Sequence, residues 1–426
     1  MAFDDAVVVE ASALSDAWAG TSVNATSFRR NASVVGTYAG KEFEAVAYYD
    51  AAAQVVLARR DEGASGWTVS GTGLYGDPDD AHNVISLGVD GNGTLHLAWG
   101  VHNAQLRYAT SAAGGRGAFV RGTILGDDES RVTYPQFYAR SDGGLYLMYR
   151  DGVSGNGTVV LDRFDATTLT WSRIATSLIS GDGERSPYWE AVVDSQDRLH
   201  VMWTWRDTPD VASNHDIMYA VAADDTGLTW TDSSGAEYDL PITADTAEVA
   251  VAVPQGSNLM NQTGLTVDAD DRPYLATYWA EGGITQYRVV TRTAAPGGWT
   301  VLDTGIRNTT FEMAGAGTKA LPLARPDIAV SGSGTDAVIH LLIRDDERDG
   351  AFSIATSVAG GEWHVRDVTA GSDLGWWEPT YDRDAWRRQG LLTVYVQRLI
   401  QTDGDSGAPA RRSPAYLVTV DPAALT

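Results

Sequence analysis

The chain has 426 residues, enough for a large hydrophobic core at 43% apolar composition, so global disorder is excluded. Its 31 Lys+Arg stand against 56 Asp+Glu, a formal net charge of -25, which argues against binding nucleic acid or an anionic membrane through bulk electrostatics. The absence of cysteine excludes disulfides and thiolate chemistry, and no apolar run is long enough for a helical membrane span. In chain order, one unit then recurs: an apolar strand, a turn, and a second apolar strand. The copies are Ala32–Thr37 with Phe43–Tyr49, the strand from His82 to Asp90 with Leu95–Trp99, and Tyr134–Ala139 with Leu145–Tyr149. They continue as Tyr188–Val193 with Leu199–Trp203, Thr263–Val267 with Tyr274–Tyr278, Asp327–Val330 with Val338–Ile343, and a weaker Pro379–Tyr381 with Leu391–Val396. Third strands follow at Val55–Ala58, Leu106–Thr110, Thr158–Asp162, Ile217–Val221, Tyr287–Thr291, Phe352–Thr356 and Tyr416–Val420.

An aromatic marks a fourth strand in the first six units: Trp67, Phe119, Trp171, Trp230, Trp299 and Trp363. The last unit lacks one, and Ala6–Ala11 is expected to supply that strand. Seven such units predict an all-β, seven-bladed β-propeller of four-stranded antiparallel blades, closed by the N-terminal strand and spanning 1–426 as one domain. A sandwich rarely repeats seven times, and a β-helix has a shorter period. The long insertions Asp207–Asn214, Ser233–Asn258 and Gln401–Ser413 read as loops, where sites are built. Ala223–Trp230 resembles an Asp-box turn, a folding feature.

In a propeller, the start of each first strand and the end of each second strand meet at one mouth of the channel. The starts read Arg30, His82, Tyr134, Tyr188, Gln262, Arg325 and Glu378; the ends read Asp50, His102, Arg150, Arg206, Trp279, Arg344 and Arg398. An acidic protein thereby gathers Arg, His and Tyr at one place, as a funnel for an anionic ligand would require. The alternative for Arg150-Asp151, Arg206-Asp207 and Arg344-Asp345 is a turn salt bridge. His96 and His200 sit inside second strands and read as structural, and His340 and His364 as ordinary blade residues. No His/Asp/Glu spacing is strong enough to name a metal. Only Lys41 and Lys319 are lysines, a skew that suits a GC-rich genome or a salt-adapted surface.

The runs Asp80-Ala-His82-Asn83, Gly88-Val-Asp90, Leu95-His96 and His102-Asn103 resemble the signature of the BNR-repeat propeller polysaccharide lyases, a group that includes ulvan lyases and lyases cutting rhamnosyl-glucuronate linkages. The stretch Trp203-Thr-Trp-Arg206 to Asn214-His-Asp216, with Tyr219, Gly227 and Trp230, is similar to that group as well. The resemblance implies β-elimination at a uronate. It assigns Arg150 to neutralising the carboxylate, and His82 and Tyr134 to base and acid, in that order of preference. Asn83, His102, Tyr188, Arg206 and His215 are implied as substrate-binding groups. Catalysis is expected to need no cofactor; a structural metal is left open, because the family's metal is held partly by Cys or His and this chain has no Cys. The implied partner is an anionic polysaccharide, not nucleic acid or membrane, and the chain is expected to act as a monomer. Met1–Trp18 shows no signal-peptide pattern. An extracellular location follows from the implied substrate, and the chain itself leaves a cytoplasmic one open. The competing readings are a glycoside hydrolase, such as an exo-rhamnosidase on rhamnosyl-glucuronate ends, and a carbohydrate-binding propeller without catalysis.

Overall fold

The computed structural model describes residues 1–21, 31–406, 408 and 412–425. Arg30, one of the expected strand starts, lies outside the described residues. The expected repeat is realised as seven antiparallel sheets arranged as a β-propeller. Blade one is formed by Val34–Tyr38, Lys41–Tyr49, Gln54–Asp61 and Thr68–Tyr75, and blade two by Ile85–Val89, Leu95–Trp99, Tyr108–Ala112 and Arg116–Gly122. Blade three is formed by Val132–Ala139, Leu145–Val153, Asn156–Asp165 and Thr170–Ser180. In blade four, Ser186–Val193, Leu199–Arg206, Asn214–Ala222 and Trp230–Thr231 are joined by a fifth strand, Glu248–Val251, that pairs with the third. That strand comes from the stretch read as the loop Ser233–Asn258. Blades five and six are regular, running Gly264–Val267 to Trp299–Asp303 and Asp327–Ser331 to His364–Asp367.

Burial explains why the inner strands read as continuous apolar runs. Ser186–Val193 and Leu199–Arg206 are buried throughout, because both faces of an inner strand pack against neighbouring blades. The fourth strand Arg116–Gly122 is exposed except at Phe119. Among the described residues the apolar side chains form seven clusters, one at each blade interface. At about 25 cal/mol per Å² of buried apolar surface, these seams hold the ring together.

Ring closure occurs as expected in kind, with different bounds. The N-terminal strand is Val8–Trp18, antiparallel to Arg412–Val420, with Val8 opposite Val420 and Trp18 opposite Arg412. The innermost strand of blade seven is reduced to one bridge, Tyr381 to Val394, leaving a three-stranded sheet. A helix, Arg383–Gln389, occupies the expected turn. Its start is set by Asp382, whose carboxylate accepts from the N–H groups of Asp384 and Ala385, and its end by Gly390 at φ 67°.

Candidate functional site

Antiparallel pairing brings each strand start and strand end to one mouth: Thr133 lies opposite Arg150 and Ser186 opposite Arg206. His82, His102, Tyr134, Arg150, Tyr188 and Arg206 converge on a cavity of about 140 Å³ there, joined by Ser154, Asn261, Lys319, Arg325 and Asp405. Two expected site residues are not in its lining. Asn83 is buried in the preceding turn, where its Oδ1 accepts from the Asp77 N–H at 3.2 Å. His215 is held between Asp216 at 2.9 Å and Asp207 at 3.2 Å, on the third strand of its blade, two strands out from the one that lines the channel. The remaining histidines fall as read. His96 and His200 are buried, each held by a Tyr hydroxyl and an Asp, and His340 is buried against Thr356.

Tyr134 breaks the ladder of its strand. Pairing shifts register between Thr133 and Gln136, and Tyr134 itself has φ 57°, a conformation that bulky side chains rarely adopt. The following Pro135 has no N–H to give a neighbouring strand, so this is where the ladder tolerates interruption. The bulge turns the phenol ring towards His82, with ring centres 5.8 Å apart. Strain of this kind clusters at active sites, which makes Tyr134 a candidate functional residue.

His82 and His102 stack face to face, 3.9 Å between ring centres and 17° between planes. One carboxylate holds both: Asp80 Oδ1 is 3.0 Å from His82 Nδ1, and Asp80 Oδ2 is 2.9 Å from His102 Nδ1. Asp80 Oδ1 also accepts from the His82 backbone N–H at 2.9 Å. A carboxylate on each Nδ1 favours Nδ1–H and leaves each Nε2 as an acceptor. Burial pushes the His82 pKa below its usual value despite the opposing pull of Asp80, so the ring is neutral at neutral pH. Burial would raise Asp80, but its bonds to His102 and His82 hold it well below the carboxylate range. The ligand atoms of Asp80, His82 and His102 lie within 4.8 Å of one another, the grouping among the described residues that could hold a metal ion.

Across the cavity, Arg150 and Arg206 are both buried, and both reach the Tyr188 hydroxyl, at 3.2 and 3.3 Å. Their guanidiniums lie 5.7 and 4.3 Å from the Tyr188 ring centre, and Arg150 lies 5.2 Å from that of Tyr134. Among the described residues the turn salt bridges that were the alternative do not form at Arg150 and Arg206, whereas Arg344 does pair within its turn, with Asp346 in place of Asp345. Asp151 pairs with Arg131, and Asp207 with His215 and Arg185. Among the described residues neither Arg150 nor Arg206 has a carboxylate within 4.0 Å; Arg206 is held instead by Asn214 and Asn261 at 2.7 and 2.5 Å. Two buried cations without an anion are costly, and a bound anion offsets that cost. They also set the electrostatics of Tyr188: burial alone would raise its pKa, but Arg206 and Arg150 outweigh it and the pKa is lowered. Burial and the neighbouring Tyr188 push Tyr134 the other way, above the usual phenol value.

Sequence reasoning missed Ser154, Asn261, Lys319 and Asp405, which come from loops with no repeat position. The local signals were the rarity of lysine at Lys319, the long insertion Gln401–Ser413 that carries Asp405, and the strand start Gln262 beside Asn261. A family model described as "BNR repeat-containing family member" matches residues 44–305. The long isoform of an ulvan lyase from Pseudoalteromonas sp. (strain PLSV) is 31% identical over 144 residues, a match covering 24% of this chain and 14% of that protein. The chain thus spans a small part of the length of that curated relative. The crystal structure of polysaccharide lyase Uly1 superposes with a TM-score of 0.69 at 15% identity, covering 97% of this chain and 99% of that one. An ulvan lyase structure bound to -[GlcA(1-4)Rha3S]- gives a TM-score of 0.69 at 16% identity, covering 94% and 98%.

Proposed function

The chain belongs to the BNR repeat-containing family, and from its site we propose that it is a polysaccharide lyase cleaving a uronate-containing, ulvan-like polysaccharide by β-elimination. The observation that carries this reading is the pair of buried guanidiniums, Arg150 and Arg206, facing the stacked histidines and Tyr134 across one cavity. Elimination at a uronate needs the carboxylate neutralised, because negative charge spreads onto it as the C5–H bond breaks. Arg150 fits that task, with Arg206 beside it. His82 Nε2 takes the C5 proton. The electron pair forms the C4–C5 double bond and the C4–O4 bond breaks. Tyr134, kept protonated by its raised pKa, gives its proton to the departing O4. The products are an unsaturated uronate and a free hydroxyl, and no water is consumed.

One observation favours a variant of this assignment. The lowered pKa of Tyr188 makes it a second candidate for the base, in which case His82 and His102 would orient the sugar. The hydrolase alternative finds less support. Glu378 is engaged by Arg325 at 2.8 Å, and Asp50 caps its own turn by accepting from Ala52 and Gln54. Neither acid lines the cavity, and Asp405, which does, is a single carboxylate where hydrolysis needs two. The relatives' names, the anionic partner implied by the paired cations and an extracellular site of action agree with one another.

The test is incubation with ulvan and with its carboxyl-reduced form, following ultraviolet absorbance of the unsaturated product and product masses. Absorbance is expected with ulvan alone. A product that has gained water would establish hydrolysis, and an intact polymer that stays bound would establish a lectin.

A further inference from the structure

Blade seven is the irregular blade, and the ring closes where it meets blade one. Three side chains fasten that junction. Ser33 precedes the first strand of blade one, Glu44 lies on its second strand, and Asp382 caps the helix that stands in blade seven. The Ser33 hydroxyl oxygen is 2.9 Å from Glu44 Oε1 and 2.6 Å from Asp382 Oδ2. The backbone crosses the same junction, where Ala32 N–H donates to Tyr381 O at 3.2 Å.

With both carboxyls ionised, this arrangement is one hydrogen short. A hydroxyl has a single hydrogen to give, and an ionised carboxylate can only accept. Two carboxyls within hydrogen-bond distance of one hydroxyl therefore need a second hydrogen between them. The surroundings decide which carboxyl carries it. Glu44 has a countercharge: Arg60 Nε donates to its Oε2 at 2.9 Å, and the two line a cavity of about 400 Å³ together with Glu10 and Glu42. Asp382 is fully buried and has no cation within 4.0 Å among the described residues. Arg383, next in the chain, pairs with Asp327 at 2.8 Å, and Arg388 with Glu42 at 2.9 Å. The charges nearest Asp382 are thus like charges, Asp384 on its own helix and Glu44 across Ser33. The strands Val34–Tyr38 and Leu392–Gln397, which flank the junction, carry no charged residue. Asp382 Oδ1 accepts from the N–H groups of Asp384 and Ala385, both at 2.9 Å, and Oδ2 is left to face the hydroxyl.

We infer that Asp382 is held as the neutral acid, donating its proton to Ser33 Oγ while Ser33 donates to the ionised Glu44, so that the junction closing the ring is a proton-dependent latch. Ionising a carboxyl that is buried without a cation is costly, and here it would also set two anions around one hydroxyl. Burial and the like charges of Asp384 and Glu44 raise the Asp382 pKa to about 7, against the bonds from Ser33 and Ala385. The folded chain then binds this proton more tightly than the unfolded chain. The stability it contributes is complete below the ordinary value of 3.8 and is lost as pH rises to about 7.

Asparagine copies the neutral acid: its oxygen accepts from the two backbone N–H groups, its amide donates to Ser33, and it cannot ionise. The experiment compares melting temperatures of the full-length wild type and Asp382→Asn at about pH 5 and about pH 8, so that titrations common to both cancel. The variant is expected to match the wild type at the lower pH and to melt a few degrees above it at the higher. A difference that does not change with pH, a variant less stable than wild type at the higher pH, or one that fails to fold would each overturn the latch, because asparagine meets every contact of the protonated acid. Glu44→Gln is the control on placement. It loses the Arg60 ion pair and is expected to melt below the wild type at both pH values. A gain at the higher pH in Glu44→Gln in place of Asp382→Asn would put the proton on Glu44 and overturn its assignment to Asp382.

Discussion

Arg150 and Arg344 occupy the same place in the repeat, at the end of a second strand and followed by aspartate, yet they have opposite surroundings. The Arg344 guanidinium is wrapped by protein: it donates to the carbonyls of Leu321, Pro322 and Trp377 at 3.0–3.3 Å and to Asp346 at 3.1 Å. Among the described residues Arg150 has one hydrogen bond, to the Tyr188 hydroxyl, and its Nε has no partner. Blade six surrounds its arginine with a loop that folds over the strand end, whereas blade three leaves its arginine facing a cavity. An arginine completed by the fold is a structural part. An arginine left incomplete beside two tyrosines is suited to hold an anion, which is the role proposed for Arg150. Arg398 is a third outcome, an exposed pair with Asp373 at 3.3 Å.

Several variants test this contrast. The largest expected effect is at Tyr134, whose ring lies against Arg150. Tyr134→Phe keeps the packing and removes the transferable proton, so turnover should fall by about 10²–10⁴ with an unchanged melting temperature. Retention of more than about a tenth of turnover would exclude it as the acid. Next is the pair itself. Arg150→Ala should cost on the order of 10²–10³ in turnover and leave stability equal or higher, because it removes an uncompensated buried charge. Arg344→Ala should do the reverse: a loss of about 3 kcal/mol as buried carbonyls lose their donor, with turnover per folded molecule near wild type. Equal melting-temperature losses in the two variants would erase the distinction.

Arg150→Lys sharpens it further. A point charge lacks the planar fork, so turnover should stay roughly 10-fold to 100-fold below wild type. The smallest effect is a shift of pH dependence at the opposite wall of the cavity. His82 must be neutral to accept a proton, so kcat/KM should rise with pH through a limb below the usual histidine value. Asp80 pulls that pKa upwards, so Asp80→Asn should move the limb to still lower pH, with turnover reduced by about tenfold. A limb that stays in place in Asp80→Asn, or one that disappears in Tyr188→Phe, would transfer the role of base from His82 to Tyr188.

The repeat was legible because a blade is a local object. Its strands are neighbours in sequence, its turns carry Gly and Asp, and its inner strands are apolar on both faces. From that alone followed seven blades, closure by the N-terminal segment, and the strand ends that face the mouth. His96 and His200 were equally readable as structural, since each sits in mid-strand between apolar residues and ends up bonded to a Tyr and an Asp of its own blade.

The degenerate first strand of blade seven and its helix were less legible, although Asp382 and Gly390 mark the helix ends in hindsight. Asn83 and His215 carried the right residue types, but turn geometry and strand position keep them out of the cavity. The sequence by itself determined the propeller and the ring of candidate positions, because hydrophobic period and turn chemistry act within a few tens of residues. Only the tertiary structure decided which arginines stay incomplete, how one carboxylate clamps two stacked histidines, and that Asp405 and Lys319 join them. Those outcomes depend on contacts such as Asp80 with Ser406, between segments at opposite ends of the chain, which no local pattern encodes.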